Sequence, residues 1–544
     1  MPRQFYLIAI GGTAMTPLAA LLVEKGERVC GSDLPLYPPM SDRLAALGIE
    51  VLPGFDARNL PSRVDRVVVG NLAGKDNPEL VAALERGLPV SSMPETLRTE
   101  FLEGRHPVVV AGTHGKTTTT ALAAWLLAAA GQAPGYLVGG EPRNFPSPSA
   151  VGSGTAFVLE GDEYSTSWAD KGPKFLHYAP RTFVLTSVEF DHADLYADLA
   201  AVKAAFRAGV ALVPPEGRVV ACADDANVRD VLSSARARVV LYGLDRSRDL
   251  DLAADGIEEG PEGTRFVVHP RGRSPFPVLS PLAGRHNVAN ALAALAAGEG
   301  LGVPAERLAT GLPSFLGVKR RLEVRGTAAG VTVVDDFAHH PTAVATTLAG
   351  ARRRWAGRRV WGVFEPRSMT AGRADFLEPW AAALGEADAV AVAEPYHAAR
   401  LSRPGAPGAL DVEALVSRLA AGGREAFRAP DPPALAEAFA HGPFDAVVHL
   451  AAEAAIEASV TDPAVYFRAN LGDSLVLLDT MRAHGVRRLV FSSTAATYGE
   501  PRGGVIDESH PQVPINAYGE SKLMLERCLP WYHRAYGLNA VVFR

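Results

Sequence analysis

Residues 108–121, VVVAGTHGKTTTTA, leave a chain few ways to fold. Three successive valines predict a strand buried on both faces, a glycine turn follows, and Ala-rich sequence beyond it predicts a helix. A helix started there aims its first N–H groups back into the turn, where they and the glycines can cradle phosphate. Lys116 adds positive charge for β- and γ-phosphates, and the Thr117 hydroxyl is placed to hold Mg²⁺. A full P-loop has a further Gly at the position of Val110, so the match is to the shorter Gly-Lys-Thr core. The ordered context of strand, turn and helix carries the expectation of a nucleoside-triphosphate site.

At 544 residues the chain has room for three or four domains. A net charge of −6 with no long basic run argues against nucleic acid as a partner. The densest basic cluster, Arg352–Arg354 with Arg358 and Arg359, flanks Trp355 and reads as a solvated helix end. Cys30, Cys222 and Cys528 are too scattered to suggest a disulfide framework, which fits a reducing cytosol. The opening MPRQFYLIAIGG reads as a first buried strand rather than a signal peptide. The apolar run Ala121–Ala130 is too short to span a bilayer. A cytoplasmic protein with no membrane partner is expected.

Taken in order, Phe5–Ile10 predicts a parallel strand, Gly11-Gly12-Thr13-Ala14-Met15 a tight turn, and Leu18–Lys25 a helix. Arg28–Cys30 leads to Asp33 at the end of a second strand. This is a Rossmann-like opening, in which glycines admit a diphosphate and the acid meets a sugar hydroxyl. Pro17 stands where a third Gly of the dinucleotide fingerprint would fall, so a diphosphate such as UDP is better supported than a dinucleotide. Strands are expected at Arg66–Val69 and Pro89–Ser91, and a domain boundary near Gly104–Pro107. After the glycine turn, Phe157–Leu159 predicts a strand ending in Glu160, Asp162 and Glu163. Glu160 would lie near the turn and could bind Mg²⁺ directly or through water. Thr182–Ser187 predicts another strand, and Asp191, His192 and Asp194 beyond it suggest a second cation site, although a helix cap explains any one of them alone.

Arg285-His286-Asn287-Val288-Ala289-Asn290 opens an Ala-rich helix whose amides could meet a base edge. Gly317-Val318-Lys319-Arg320-Arg321 concentrates charge beside a turn and suits phosphate neutralisation, or serves as a solvated linker. Val331–Val334 predicts a strand before Asp335-Asp336-Phe337-Ala338-His339-His340-Pro341, with Pro341 starting a helix. Val360–Phe364 ends in Glu365-Pro366-Arg367-Ser368, polar residues expected to face a cleft. Beyond Phe444, Asp445–Leu450 and Arg488–Phe491 predict strands. Tyr518 and Lys522 share one helical face, an arrangement in which an ammonium can lower a phenol pKa, and Thr494 supplies a third hydroxyl.

GTHGKTTTT, Glu160-x-Asp162-Glu163, Asp191-His192-x-Asp194, His286-Asn287-x-x-Asn290 and DDFAHHP together resemble the Mur ligase family, in that family's order, over residues 1 to about 440. Within it, Tyr37-Pro38-Pro39-Met40-Ser41, Gly139-Gly140-x-Pro142-x-Asn144-Phe145, Lys174-Phe175-x-His177-Tyr178 and the Gly317–Arg321 stretch are similar to the branch adding an L-alanyl-γ-D-glutamyl-meso-diaminopimelate tripeptide in peptidoglycan recycling. The branch that adds L-alanine is the alternative. The resemblance implies an α/β enzyme of three domains: a Rossmann-like UDP-sugar domain (1–105), a central P-loop ATPase domain (106–321) and a Rossmann-like peptide domain (322–440). It implies that ATP phosphorylates the lactyl carboxylate of UDP-N-acetylmuramate and that an amine attacks the acyl phosphate.

The roles implied follow position by position. Lys116, Glu160, His192 and Arg320 would be catalytic, and Thr117, Glu160 and His192 would place two Mg²⁺ ions. ATP would meet Gly112, Thr113, His114, Gly115, Lys116, Thr117, Thr118, Asn287, Asn290 and Asp336. The sugar nucleotide would meet Gly11, Gly12, Thr13, Ala14, Met15 and Asp33, and Arg367 would lie near the peptide. Some members carry a carbamylated lysine; the spacing of Lys203 from Asp191 does not support that role.

Near residue 441 the pattern changes, and 441–544 resembles the middle of a UDP-glucose 4-epimerase, an extended short-chain dehydrogenase/reductase with an incomplete Rossmann-like fold. Thr494, Tyr518 and Lys522 fall on that family's catalytic positions and Asn470 on its cofactor side, while Asp473 stands where Gly is usual. The Gly-rich NAD loop and the sugar-binding part are missing from the match. The triad is therefore expected to be vestigial, without epimerase activity; the alternative is a fusion whose C-terminal part is an NAD-dependent sugar-nucleotide epimerase. The strand Asp445–Leu450 is available to replace a lost strand of the truncated third domain.

Overall fold

The computed structural model describes residues 2–36, 40–71, 73–260, 262–328, 331–403, 406–430, 446–449, 459–460, 462–483, 485–499 and 506–544. They form two compact units, one of residues 1–321 with 349–358 and one of residues 322–348 with 359–544. Tyr37–Pro39, the ends of the expected strand Asp445–Leu450, and the change of pattern near 441 lie outside the described residues.

The first unit opens with strands β1 (Gln4–Ile8), β2 (Arg28–Asp33), β3 (Glu50–Pro53), β4 (Arg66–Val69) and β5 (Val90–Ser92). They make an all-parallel sheet in the order β3-β2-β1-β4-β5. Phe5, Tyr6, Leu7 and Ile8 are fully buried, as a central strand covered on both faces requires. The strand stops at Ile8, two residues short of the sequence expectation, because Ala9 takes a left-handed φ of 61° and Ile10 N–H turns to Ser32 C=O. Helix α1 (Met15–Glu24) then starts three residues early, with Met15 packed into the core. Helix α2 (Pro78–Glu85) joins the other half of this sheet and is capped by the Asn77 side chain.

The larger sheet takes strands β6 (His106–Ala111), β7 (Gly135–Leu137), β8 (Ser149–Ala150), β9 (Ala156–Gly161), β10 (Thr182–Leu185), β11 (Arg218–Cys222), β12 (Arg238–Gly243), β13 (Leu252–Gly260), β14 (Gly263–Pro270) and β15 (Phe276–Ser280). Their order is β15-β14-β13-β12-β11-β10-β6-β9-β7-β8, antiparallel only at β13–β14, β14–β15 and β7–β8. Strand β6 therefore sits between β10 and β9, all three parallel. Their carboxyl ends, Ala111, Leu185 and Gly161, come out side by side. Ligands of open α/β sheets bind at such an edge. Helices α3 (Lys116–Ala129) and α4 (Arg285–Glu299) share one hydrophobic core over this sheet, where runs of alanine let them pack closely.

In the second unit a hairpin of β16 (Glu323–Ala328) and β17 (Val331–Asp335) precedes helix α5 (Pro341–Arg354), of which residues 341–348 belong to this unit and 349–354 to the first. A parallel sheet of β18 (Trp361–Phe364), β19 (Ala389–Val392) and β20 (Glu425–Arg428) follows, with a core around Trp380, Leu384 and Leu415. A separate parallel sheet holds β21 (Ala446–His449), β22 (Arg488–Ser492) and β23 (Asn539–Phe543). It packs on helices α6 (Asp473–Ala483) and α7 (Ala517–Tyr536) through Leu478, Phe491 and Leu525. The expectation that β21 replaces a strand of the third domain is corrected: Ala446–His449 pairs in register with Arg488–Phe491, its neighbour in the second resemblance.

Candidate active site

The turn after β6 is built on two glycines at which any other residue would be strained. Gly112 has φ 128°, and a Cβ there would collide with Thr186 and Ser187 of the neighbouring strand end. Gly115 has φ 81°, caps α3, and a Cβ on it would lie 2.6 Å from Asn290 Oδ1. The turn is held from β10: Thr113 N–H donates to Ser187 C=O at 3.0 Å and His114 N–H to Ser187 Oγ at 2.8 Å. Asn290 is fixed in turn, its Nδ2 donating to Asn287 Oδ1 at 3.1 Å while Asn287 Nδ2 donates to Ala283 C=O at 2.7 Å. Helix α4 thus puts Asn290 against the turn.

Lys116 folds back over the turn. Its Nζ donates to Gly112 C=O at 2.7 Å and lies 2.9 Å from a carboxylate oxygen of Glu163, both side chains nearly buried. Burial pulls the lysine pKa down, but the charges of Glu163, Glu160 and Asp162 outweigh it and leave the ammonium held more firmly than usual. Burial also pushes Glu163 up to about 7, Asp162 adds to that, and Lys116 opposes it. Thr117 Oγ1 donates to Glu160 Oε1 at 2.9 Å, and Gly139 N–H donates to Glu160 Oε2 at 2.9 Å. Burial raises the Glu160 pKa as well. A hydroxyl and a carboxylate side by side at the end of β9, with more carboxylates around them, are hard oxygen donors suited to Mg²⁺.

Other partners were not legible in the sequence. Asp162 accepts from Lys174 Nζ at 2.8 Å; burial would raise this carboxyl, and Lys174 keeps it below its ordinary value. Tyr196 Oη donates to Glu163 C=O at 3.0 Å. His192 has a left-handed φ of 53°, its N–H donates to Asp191 Oδ1 at 2.7 Å, and its ring lies 4.5 Å from that of Tyr164. Burial, reinforced by Lys116, lowers the His192 pKa and favours neutral imidazole. His114 Nε2 lies 3.1 Å from Glu189. Arg321 Nη2 donates to Thr117 Oγ1 at 3.4 Å, and Arg320 is exposed on a left-handed backbone. Lys203 pairs with Asp230 at 3.0 Å.

At the first sheet, Gly11 N–H donates to Asp33 Oδ2 at 2.7 Å, and burial raises the Asp33 pKa. Gly12, Thr13 and Ala14 remain at least partly accessible, whereas the Met15 side chain is buried and offers the turn only its backbone. In the second unit, Asp336 accepts from Leu322 N–H at 2.7 Å and Ala338 N–H at 2.8 Å, and Arg367 lies over the Tyr396 ring at 4.8 Å. Lys522 Nζ donates to Ser492 C=O at 2.8 Å, and burial lowers its pKa to about 8. Thr494 Oγ1 accepts from Ala496 N–H at 3.1 Å, Tyr518 C=O accepts from Ser521 Oγ at 2.7 Å, and Asn470 Nδ2 donates to the same Oγ at 3.1 Å.

Family models match the chain in sequence. Residues 4–102 match the Mur ligase family catalytic domain, 110–298 the Mur ligase middle domain, and 320–458 the Mur ligase glutamate ligase domain. Residues 408–544 match the NAD dependent epimerase/dehydratase family, overlapping the previous match. A UDP-N-acetylmuramate--L-alanyl-gamma-D-glutamyl-meso-2,6-diaminoheptandioate ligase of Escherichia coli is 40% identical over 399 residues, 72% of this chain and 85% of the relative. A UDP-N-acetylmuramate--L-alanine ligase of Anaeromyxobacter is 39% identical over 435 residues, 79% of this chain and 90% of the relative. The crystal structure of a murein peptide ligase from Psychrobacter arcticus superposes with a TM-score of 0.60 at 32% identity, over 81% of this chain and 93% of that one.

Proposed function

Because the chain belongs to the Mur ligase family, we propose that it joins the lactyl carboxylate of UDP-N-acetylmuramate to the amine of L-alanyl-γ-D-glutamyl-meso-diaminopimelate at the expense of ATP. The observation that carries this is the Lys116 cradle beside the Thr117–Glu160 pair, in a chain 40% identical to a relative with that name. The γ-phosphoryl group passes to a carboxylate oxygen, giving ADP and an acyl phosphate. The amine then attacks the acyl carbon, the C–O bond to phosphate breaks, and amide, phosphate and a proton leave. Phosphoryl transfer asks for positioning and neutralised charge more than for acid–base groups. Lys116 and Arg321 bring positive charge to the turn, and the first N–H groups of α3 bind phosphate oxygens. Thr117 and Glu160, with His192 as a neutral nitrogen donor, would hold Mg²⁺, whose chemistry is to offset charge on the transferring phosphoryl group. Asn287 and Asn290 face the nucleotide, and Gly11–Met15 with Asp33 hold the UDP sugar. Arg320, Asp336 and Arg367 are assigned by family position alone.

The domain division follows the same premise: UDP-sugar domain 1–105, ATP domain 106–321, peptide domain 322–440 and an epimerase-like segment 441–544 with Thr494, Tyr518 and Lys522 as vestiges. No NAD-dependent step is assigned to that segment. Among the described residues no helix is long and apolar enough to cross a membrane. Substrates of this kind support a cytoplasmic reaction, in peptidoglycan recycling. A relative 39% identical that carries the name of an L-alanine ligase supports a second reading, in which free L-alanine is the amine. Phosphate release by purified protein with UDP-N-acetylmuramate and ATP decides between them. Turnover with the tripeptide is expected to exceed that with L-alanine by at least about tenfold in kcat/KM. Equal or better turnover with L-alanine moves the assignment to the second reading.

A further inference from the structure

Glu79 is fully buried in the first sheet, and among the described residues no lysine or arginine pairs with it. An acid so placed needs donors on every side, and it has four. Tyr6 Oη donates to Oε1 at 3.1 Å, Asn59 Nδ2 to Oε1 at 2.8 Å, and Asp56 N–H to Oε1 at 3.2 Å, while Ser32 Oγ donates to Oε2. The carboxylate sits in the first turn of α2, where the helix dipole favours negative charge, and Asn77 Oδ1 accepts from its N–H at 3.0 Å.

Two of these contacts lead to the end of β2. Ser32 is held directly, and its C=O accepts from Ile10 N–H at 3.1 Å. Asn59, held by Glu79, also donates to Gly54 C=O at 3.1 Å, and Gly54 N–H donates to Asp33 C=O at 2.7 Å. Asp33 in turn grips Gly11 N–H with its carboxylate. Both residues that anchor the Ile10–Gly11 turn are thus fastened from behind to one buried side chain. We propose that Glu79 is a positioning residue for the sugar-nucleotide turn, fixing Ser32 and Asp33 so that Gly11–Met15 present a rigid cradle to a nucleoside-diphosphate sugar. This rests on assigning that turn to the UDP sugar.

The test is calorimetric binding of UDP-N-acetylmuramate and, separately, of ATP to the full chain. Glu79→Gln places an amide donor among donors, and the Kd for UDP-N-acetylmuramate is expected to rise roughly tenfold with ATP affinity unchanged. Asn59→Ala cuts the Gly54 arm together with one of the four donors to Glu79 and leaves the Ser32 arm, so it is expected to raise the same Kd about threefold, and it carries the test should Glu79→Gln fail to fold. Unchanged sugar-nucleotide affinity in the folded variants overturns the proposal. So does equal weakening of both ligands with a lowered Tm, which is the signature of a merely structural acid. Wild-type protein that binds ATP but no UDP-N-acetylmuramate instead overturns the assignment of the turn, and the positioning role with it.

Discussion

Lys116 and Glu163 meet where little water reaches either, so removing one leaves the other in poor company. Lys116→Ala is expected to cut phosphate release by about three orders of magnitude while the Kd for UDP-N-acetylmuramate stays within about twofold, since the two sites are built from different sheets. A phosphate assay and calorimetry check the two halves. Glu163 also gives the site a pH signature. Folded Glu163 keeps its proton up to about 7, against 4.5 for an ordinary glutamate. Between those values the folded protein holds a proton the unfolded chain has released, so stability falls as pH rises through that window. Glu163→Gln should flatten that part of the Tm–pH curve; an unchanged slope would show that the carboxyl titrates normally. The turn residues were legible because their chemistry is contiguous in the chain. Lys174 on Asp162, Tyr196 behind Glu163 and Arg321 at Thr117 were not, because those pairs are made only when separate loops converge.

Among the elements, β6 does most to place the chemistry, and its buried valine run announced it. The order of its neighbours was not written in any local pattern, since β9 and β10 flank it from opposite sides across long insertions. Its first residue, His106, lies 2.8 Å from Thr182 Oγ1 at the start of β10. Burial, with Arg181 and Arg218 adding to it, lowers the His106 pKa from 6.5 to about 4. Its contribution to stability is complete above pH 6.5 and is lost as pH falls toward 4, because the unfolded chain takes up the proton first. His106→Gln should therefore lessen the acid-side drop in Tm, opposite in sign to the effect of Glu163. Helix α4 was also readable from sequence as an Ala-rich helix with two amides at its start. That Asn290 abuts Gly115 follows from the close approach of α3 and α4, which small side chains permit but do not by themselves specify.

At the scale of the molecule, the sheet of β18–β20 and the sheet of β21–β23 have separate cores, one around Trp380 and one around Phe491. A chain ending at residue 430 should therefore bind UDP-N-acetylmuramate with a Kd within about threefold of the full chain, measured by calorimetry. A loss of binding would show that the last sheet supports the first unit. The order of the Mur ligase and epimerase-like matches was readable because each rests on motifs contiguous in the chain, whereas the pairing of β21 was not, because a short apolar strand carries no address for its partner. The bracing of the glycine turn by β10 has a consequence in time. Thr186, which donates to Ala111 C=O, lies 75 residues further along the chain, and Asn290 later still. On the ribosome the turn emerges long before the residues that hold it, so the nascent chain passes a stage in which the loop sequence is complete and its shape is not. The shape of the turn is then completed late in synthesis, once the central sheet has closed around it.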